Sequence, residues 1–196
     1  MSFLNYSTKE INFKIVYYGP GLSGKTTNIK YIYSRINKTN KGKLVSLATE
    51  TERTLFFDFV PFDLGTIKGY KIKIHLYTVP GQIYYSSSRK LILKGVDGVI
   101  FVADSQNERF EANLESLADM LGNLKDYNIS FQNLPYILQL NKRDLPNITP
   151  ADEMVRALRK KEEPVIESIA LKGTGVVETL KKVSKMVMMN VRQKLK

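Results

Sequence analysis

The segment "GPGLSGKT", Gly19 to Thr26, carries the clearest chemistry in the chain. It follows the β-rich run "INFKIVYYG" and precedes "KTTNIKYIYSRI", which has helical spacing. Strand, glycine-rich loop and helix in that order are the context in which G-x-x-x-x-G-K-[ST] binds phosphate. Glycines let successive backbone N–H groups turn inward, and the helix N-terminus adds partial positive charge. Gly19, Gly21, Leu22, Ser23 and Gly24 are the expected cradle, with Thr27 joining it from the helix. Lys25 would set a point charge against the β- and γ-phosphates, and the Thr26 hydroxyl would ligate Mg²⁺.

A phosphate cradle does not choose a base. The segment "NKRD", Asn141 to Asp144, does. It follows the apolar strand "LPYILQL", which puts it at a strand's C-terminal edge, where open α/β sheets bind ligands. The Asp144 carboxylate can accept two parallel hydrogen bonds, from N1–H and the exocyclic amine of guanine. Adenine lacks that pair and would leave a buried acceptor unmet, which argues against an ATPase. Asn141 is expected to tie this loop to the phosphate loop, and the Lys142 stem to cover the base. A third segment, "HLYTVPGQIYY", departs from the pattern of a nucleotide switch. An aspartate belongs three residues before the glycine, to anchor the metal's water shell. Here Thr78 precedes Gly81, so a hydroxyl replaces a carboxylate.

Strand-like and helix-like segments alternate along the chain. "TLFFDFVPFDLG" and "YKIKIHLY" read as two strands joined by a short connection, the second with Lys71, Lys73 and His75 on a wet face. "DGVIFVADS" is continuously apolar, as for a strand buried on both sides. "ERFEANLESLADMLGNLKDY" reads as a helix, and "TPADEMVRALRKK" as another with Thr149 as its cap and an acidic first turn. After the last strand, "PVIESIAL", the residues Val176, Leu180, Val183, Val187 and Val191 form one helical stripe. The pattern predicts one α/β domain over 1–196. Its sheet has about six strands and is mostly parallel, with one antiparallel hairpin and helices on both faces.

The phosphate loop and N-K-x-D, in this order, resemble the Ras-like small GTPases over nearly the full length. Within them the chain is similar to the bacterial MglA family of cell-polarity and motility GTPases. That likeness lies in "NFKIVYYGPGLSGKTTN", "VSLATETERTLFFDF", "YTVPGQ", "SRKLILKGVDGVIFVADS" and "NKRDLP". The resemblance implies a Ras-like P-loop G domain that binds GTP or GDP with Mg²⁺ and hydrolyses GTP. It implies that Gln82 orients the attacking water and that Arg53, in "TERT", is an arginine finger supplied in cis. A surface arginine paired with Glu50 or Glu52 is the plainer reading of Arg53. Thr54 is the expected switch hydroxyl on the metal, with Thr49 and Thr51 as alternatives, and Thr78 the expected outer anchor. Ala170 and Leu171 stand where small GTPases bring a backbone N–H to the guanine oxygen. The implied activator is an MglB-type Roadblock-fold homodimer, with exchange factor and effectors unknown. The other reading of Thr78 is a GTP-binding scaffold that does not hydrolyse.

Composition sets the remaining bounds. There is no cysteine, which removes disulfides, thiolate metal sites and thiol lipidation together. Ser2, not glycine, follows Met1, so myristoylation is not expected. No apolar run is long enough to span a membrane, and a cytoplasmic protein without a stable membrane anchor is the expectation, with recruitment to a cell pole by the same resemblance. The net charge is +11, and residues 156–196, with 11 Lys/Arg against 4 Glu, carry +7 of it. No aromatic residues interleave with these charges, so base stacking is not expected and nucleic acid is not the anticipated partner. His75 reads as a surface residue, and Met186, Met188 and Met189 as packing for the last helix.

Overall fold

The strand Gly98–Asp104 is buried along its whole length, as a strand covered on both faces must be. It sits near the middle of a computed structural model that describes residues 3–5, 8–35, 45–48, 54–67, 69–81 and 86–194. In chain order the elements are β1 (Phe3–Asn5), β2 (Glu10–Tyr18), α1 (Lys25–Arg35), β3 (Val45–Ala48) and β4 (Thr54–Ile67). Then follow β5 (Tyr70–Thr78), α2 (Ser86–Leu93), β6 (Gly98–Asp104), α3 (Phe110–Asp126) and β7 (Tyr136–Asn141). The chain closes with α4 (Ala151–Leu158), β8 (Val165–Glu167) and α5 (Val176–Lys194).

The sheet order is β3-β4-β5-β2-β6-β7-β8, with β1 alongside β2. The strands β5, β2, β6, β7 and β8 run parallel to one another, so each link between them needs a crossover. Helices supply those links and cover both faces. Ile29 and Ile32 of α1 and Val176, Val183 and Val187 of α5 pack on the face of Phe13, Ile15, Ile74 and Ile100. Leu93 of α2, Leu117 and Met120 of α3, and Met154 of α4 pack on the face of Val16, Phe101 and Leu138. The chain leaves β2 for one side of the sheet and returns to the other side through β6. That reversal opens a crevice at the C-terminal end of β2, the place where such sheets bind ligands.

Several expectations need correction. Among the described residues the sheet has eight strands, not about six, and three pairings are antiparallel: β1 with β2, β3 with β4, and β4 with β5. β1 and β3 are only three and four residues long, too short for alternation to be read. Thr149 does not cap α4. Pro150 takes the cap position without a side-chain bond, and the Thr149 hydroxyl donates to Asn107 Oδ1 at 2.9 Å. The inserted proline sets Thr149 one residue too early, while Asp152 and Glu153 do stand in the acidic first turn. His75 is half-buried, not merely wet, with Nε2 2.8 Å from Asn12 Oδ1 beside the Lys73–Glu10 pair. Met186 and Met188 pack against the core and Met189 is exposed.

Candidate functional site

The loop between β2 and α1 is held by its own lysine. Lys25 opens α1, is 6% exposed, and donates through Nζ to the carbonyls of Gly19 at 2.8 Å and Pro20 at 2.6 Å. A buried ammonium needs such partners, since desolvation without them is costly. Gly24 must be glycine: its φ is 99°, and a Cβ there would collide with the Asn141 side-chain nitrogen. Ser23 is fully buried, and its hydroxyl has no hydrogen-bond partner among the described residues. Thr26 and Thr27 are half-buried on the first turn of α1.

Asn141, the last residue of β7, joins three segments. Its Nδ2 donates to Ser23 O at 2.7 Å, which is the expected tie to the phosphate loop. Its Oδ1 accepts from the Ala170 N–H at 2.9 Å and the Ser168 hydroxyl at 3.0 Å. The Ala170 amide is therefore engaged by Asn141, whereas the Leu171 N–H donates to no described residue. Leu171 is 85% exposed. Lys142 adopts φ 66°, and its Nζ reaches Asp104 Oδ2 at 2.6 Å and Gln106 Oε1 at 2.8 Å. Asp144 sits 3.1 Å from Lys172 Nζ. Asp104, Ser168 and Lys172 were not singled out in the sequence. Only the position of Lys172, two residues past Ala170, would have hinted at a role.

The far side of the crevice is formed by β5. Thr78 is fully buried at its end, opposite Tyr17 in the parallel register, and Val79 N–H donates to Tyr17 O at 3.2 Å. Gly81 lies so close to the phosphate loop that a Cβ on it would collide with the Gly21 backbone. Arg109, also missed in the sequence, donates from Nη2 to Gly21 O at 2.9 Å. Gln82, Arg53, Thr49 and Thr51 lie outside the described residues. Thr54 opens β4, but its side chain also lies outside them.

Tyr18, directly before the loop, is pushed well above the usual phenol range, first by burial and then by its hydrogen bond to Asp119. Asp119 also takes Arg89 of α2 at 2.7 Å. Burial works against the Arg89 charge, but Asp119 outweighs it and raises that pKa.

These donors fit a nucleotide phosphate chain. The loop carries an ammonium and an unpaired buried hydroxyl in Ser23, and glycine-rich loops of this kind turn amides toward phosphate. Among the described residues there is no group of three acidic, histidine or cysteine side chains able to hold a metal. The hydroxyls of Thr26 and Thr78 bring no charge, so Mg²⁺ would rely on phosphate oxygens for its anionic ligands, as it commonly does.

Comparison with known proteins identifies the family. The ADP-ribosylation factor family model matches residues 1–187. The chain is 57% identical over 193 residues to the mutual gliding-motility protein MglA of Myxococcus xanthus (strain DK1622), covering 98% of this chain and 99% of that protein. It is 24% identical to ADP-ribosylation factor-like protein 6 of Caenorhabditis briggsae, over 90% of this chain and 86% of that one. The same-named protein of Caenorhabditis elegans is 25% identical over 84% and 88%. No helix among the described residues is long and apolar enough to cross a membrane. A family match over nearly the whole chain, set on a phosphate loop and a guanine-type loop joined by Asn141, shows that the chain belongs to the ADP-ribosylation factor family of Ras-like small GTPases and is a GTP-binding, GTP-hydrolysing switch resembling MglA.

Proposed function

We propose that this GTPase is a single G domain over 1–196 that sets cell polarity in support of motility, and that it turns over slowly until an activating protein engages it. The observation that carries the nucleotide reading is Asn141. One amide links the base-reading loop to the phosphate loop and to the 168–170 turn, as a site gripping both ends of one nucleotide needs. The motility reading rests on the likeness to a protein named for gliding motility.

In this reading Asp144 accepts the guanine N1–H and amine, with Lys142 over the base and the Leu171 N–H, beside Ala170, at the guanine oxygen. Lys25 and the amides of Gly19–Thr27 hold the phosphates. Thr26 would ligate Mg²⁺, with Thr54 as the switch hydroxyl and Thr78 as an outer anchor. When bound, Mg²⁺ neutralises charge on the phosphates. Gln82 orients the attacking water and Arg53 stabilises the charge that develops on the phosphoryl oxygens. Thr78 lacks the charge of an aspartate, which weakens metal anchoring and favours dependence on a partner. An MglB-type Roadblock-fold homodimer fits as activator by repositioning residues the chain already owns. Cytoplasmic residence with recruitment to a cell pole follows from the same likeness.

The test is phosphate release from GTP with Mg²⁺, with and without an MglB-type dimer. Stimulated turnover should fall by about 10³-fold or more in Arg53→Ala and Gln82→Ala, while GDP binding persists. Unchanged stimulation in Arg53→Ala would remove the cis-finger role. Absence of phosphate release from the wild-type chain in both conditions would remove turnover itself.

A further inference from the structure

The Gly21 carbonyl is held by a residue that belongs to neither the phosphate nor the guanine pattern. Arg109 ends the single helical turn Asn107–Arg109 leading into α3, and its Nη2 donates to Gly21 O at 2.9 Å across 88 positions. Its Nε is buried and has no hydrogen-bond partner among the described residues. The next residue in the loop, Leu22, stands at φ 66° with 74% of its surface exposed. Left-handed backbone is costly for a residue with a Cβ. An exposed side chain gains little packing to offset that cost, so something else must hold it.

The peptide plane supplies the link. Gly21 C=O and Leu22 N–H belong to one trans unit and point in opposite directions. A guanidinium that holds the carbonyl on its own side turns the Leu22 N–H the opposite way. That N–H donates to no described residue. The backbone of Gly81 rests on the same Gly21, so the hold on Gly21 also steadies Gly81.

We propose that Arg109 is a positioning residue for nucleotide binding: by holding the Gly21 carbonyl, it keeps Leu22 left-handed and its N–H aimed at the phosphate chain. The bond is charge-assisted, and so stronger than a neutral one. The inference rests on the GTPase reading of this site, and wild-type binding of GDP tests that reading separately.

The experiment is the dissociation rate of a fluorescent GDP analogue from the full-length chain. Arg109→Met keeps an apolar stem and removes the donors. It should raise the off-rate about tenfold when residue 22 is leucine. In a Leu22→Gly background the same change should raise it by less than about threefold, because glycine adopts this conformation without help. Arg109→Lys keeps charge and stem and is read through the same cycle, so a folding defect in Arg109→Met does not end the test. An intermediate rise is expected of it, again smaller in the Leu22→Gly background. An unchanged off-rate, or equal rises in both backgrounds, would overturn the role. Failure of the wild-type chain to bind GDP would instead strike the nucleotide reading.

Discussion

Asn141 shows how much one side chain can hold. Its amide donates to the phosphate loop and accepts from both Ser168 and Ala170, all in a buried setting. Truncation would leave the Ser23 carbonyl and the Ala170 N–H short of a partner and the Ser168 hydroxyl with only the Leu140 carbonyl, at 3.4 Å. Unmet buried groups cost about 1–3 kcal/mol each, with some relief from water. Asn141→Ala should therefore lower unfolding free energy by about 3 kcal/mol in chemical denaturation. It should also weaken GDP affinity by at least about tenfold in equilibrium titration, since both ends of the site lose register. Unaltered GDP affinity in folded Asn141→Ala would mean that the two loops keep their geometry without this tie. The role of Asn141 was legible because its spacing pattern states it. Arg109 and Lys172 were not, because their partners, Gly21 and Asp144, are brought to them only by the folded chain.

At the scale of elements, α2 is fastened to the strand that feeds the phosphate loop. Arg89 of α2 pairs with Asp119 of α3, and Asp119 also takes the Tyr18 hydroxyl and Asn123. Tyr18 is followed directly by Gly19, and α2 follows the segment that contains Gln82. Arg89 is nearly buried and Asp119 is partly exposed, so the pair is less costly to break than a fully buried one. Arg89→Met should destabilise the protein by about 2 kcal/mol. Combined with Tyr18→Phe, the loss should be smaller than the two single losses added, because both bonds end on one carboxylate. Denaturation of the four proteins in this cycle measures the coupling, and strict additivity would show the bonds to be independent. The apolar run in β6 and the stripe in α5 were readable, since burial on two faces or along one stripe writes itself into the composition. The short strands β1 and β3 owe their conformation to neighbours, which no short sequence records.

Across the whole molecule, helices on both faces leave part of the β2–β5 surface to polar groups. His75 lies there between Asn12 and the Lys73–Glu10 pair. Burial lowers its pKa, Lys73 lowers it further, and Glu10 opposes them in part. The unfolded chain therefore takes up the proton at higher pH than the folded one. Its contribution to stability is present above the ordinary histidine range and is lost as the pH falls through it. Between about pH 7.5 and 5.5, His75→Gln should flatten the decline of unfolding free energy with falling pH. An equal slope in both proteins would assign the decline to carboxylates. The lysines of α5 share this logic of faces: Lys181, Lys182 and Lys185 are exposed while Val183 and Val187 are buried.

Residue spacing along the chain specified the reactive inventory and its order: a phosphate loop before a helix, a guanine-type loop after a buried strand, and threonine where a carboxylate was expected. Those features are local, set by spacing along a few residues and by the period of burial. The folded chain alone settled which oxygen each cation meets. It set Arg109 on Gly21, Lys142 on Asp104 and Lys172 by Asp144, and it gave the Ala170 amide to Asn141. The reason is topological. Parallel strands joined by helical crossovers bring distant segments to one edge of the sheet, and the contacts made there depend on registers that no single segment contains.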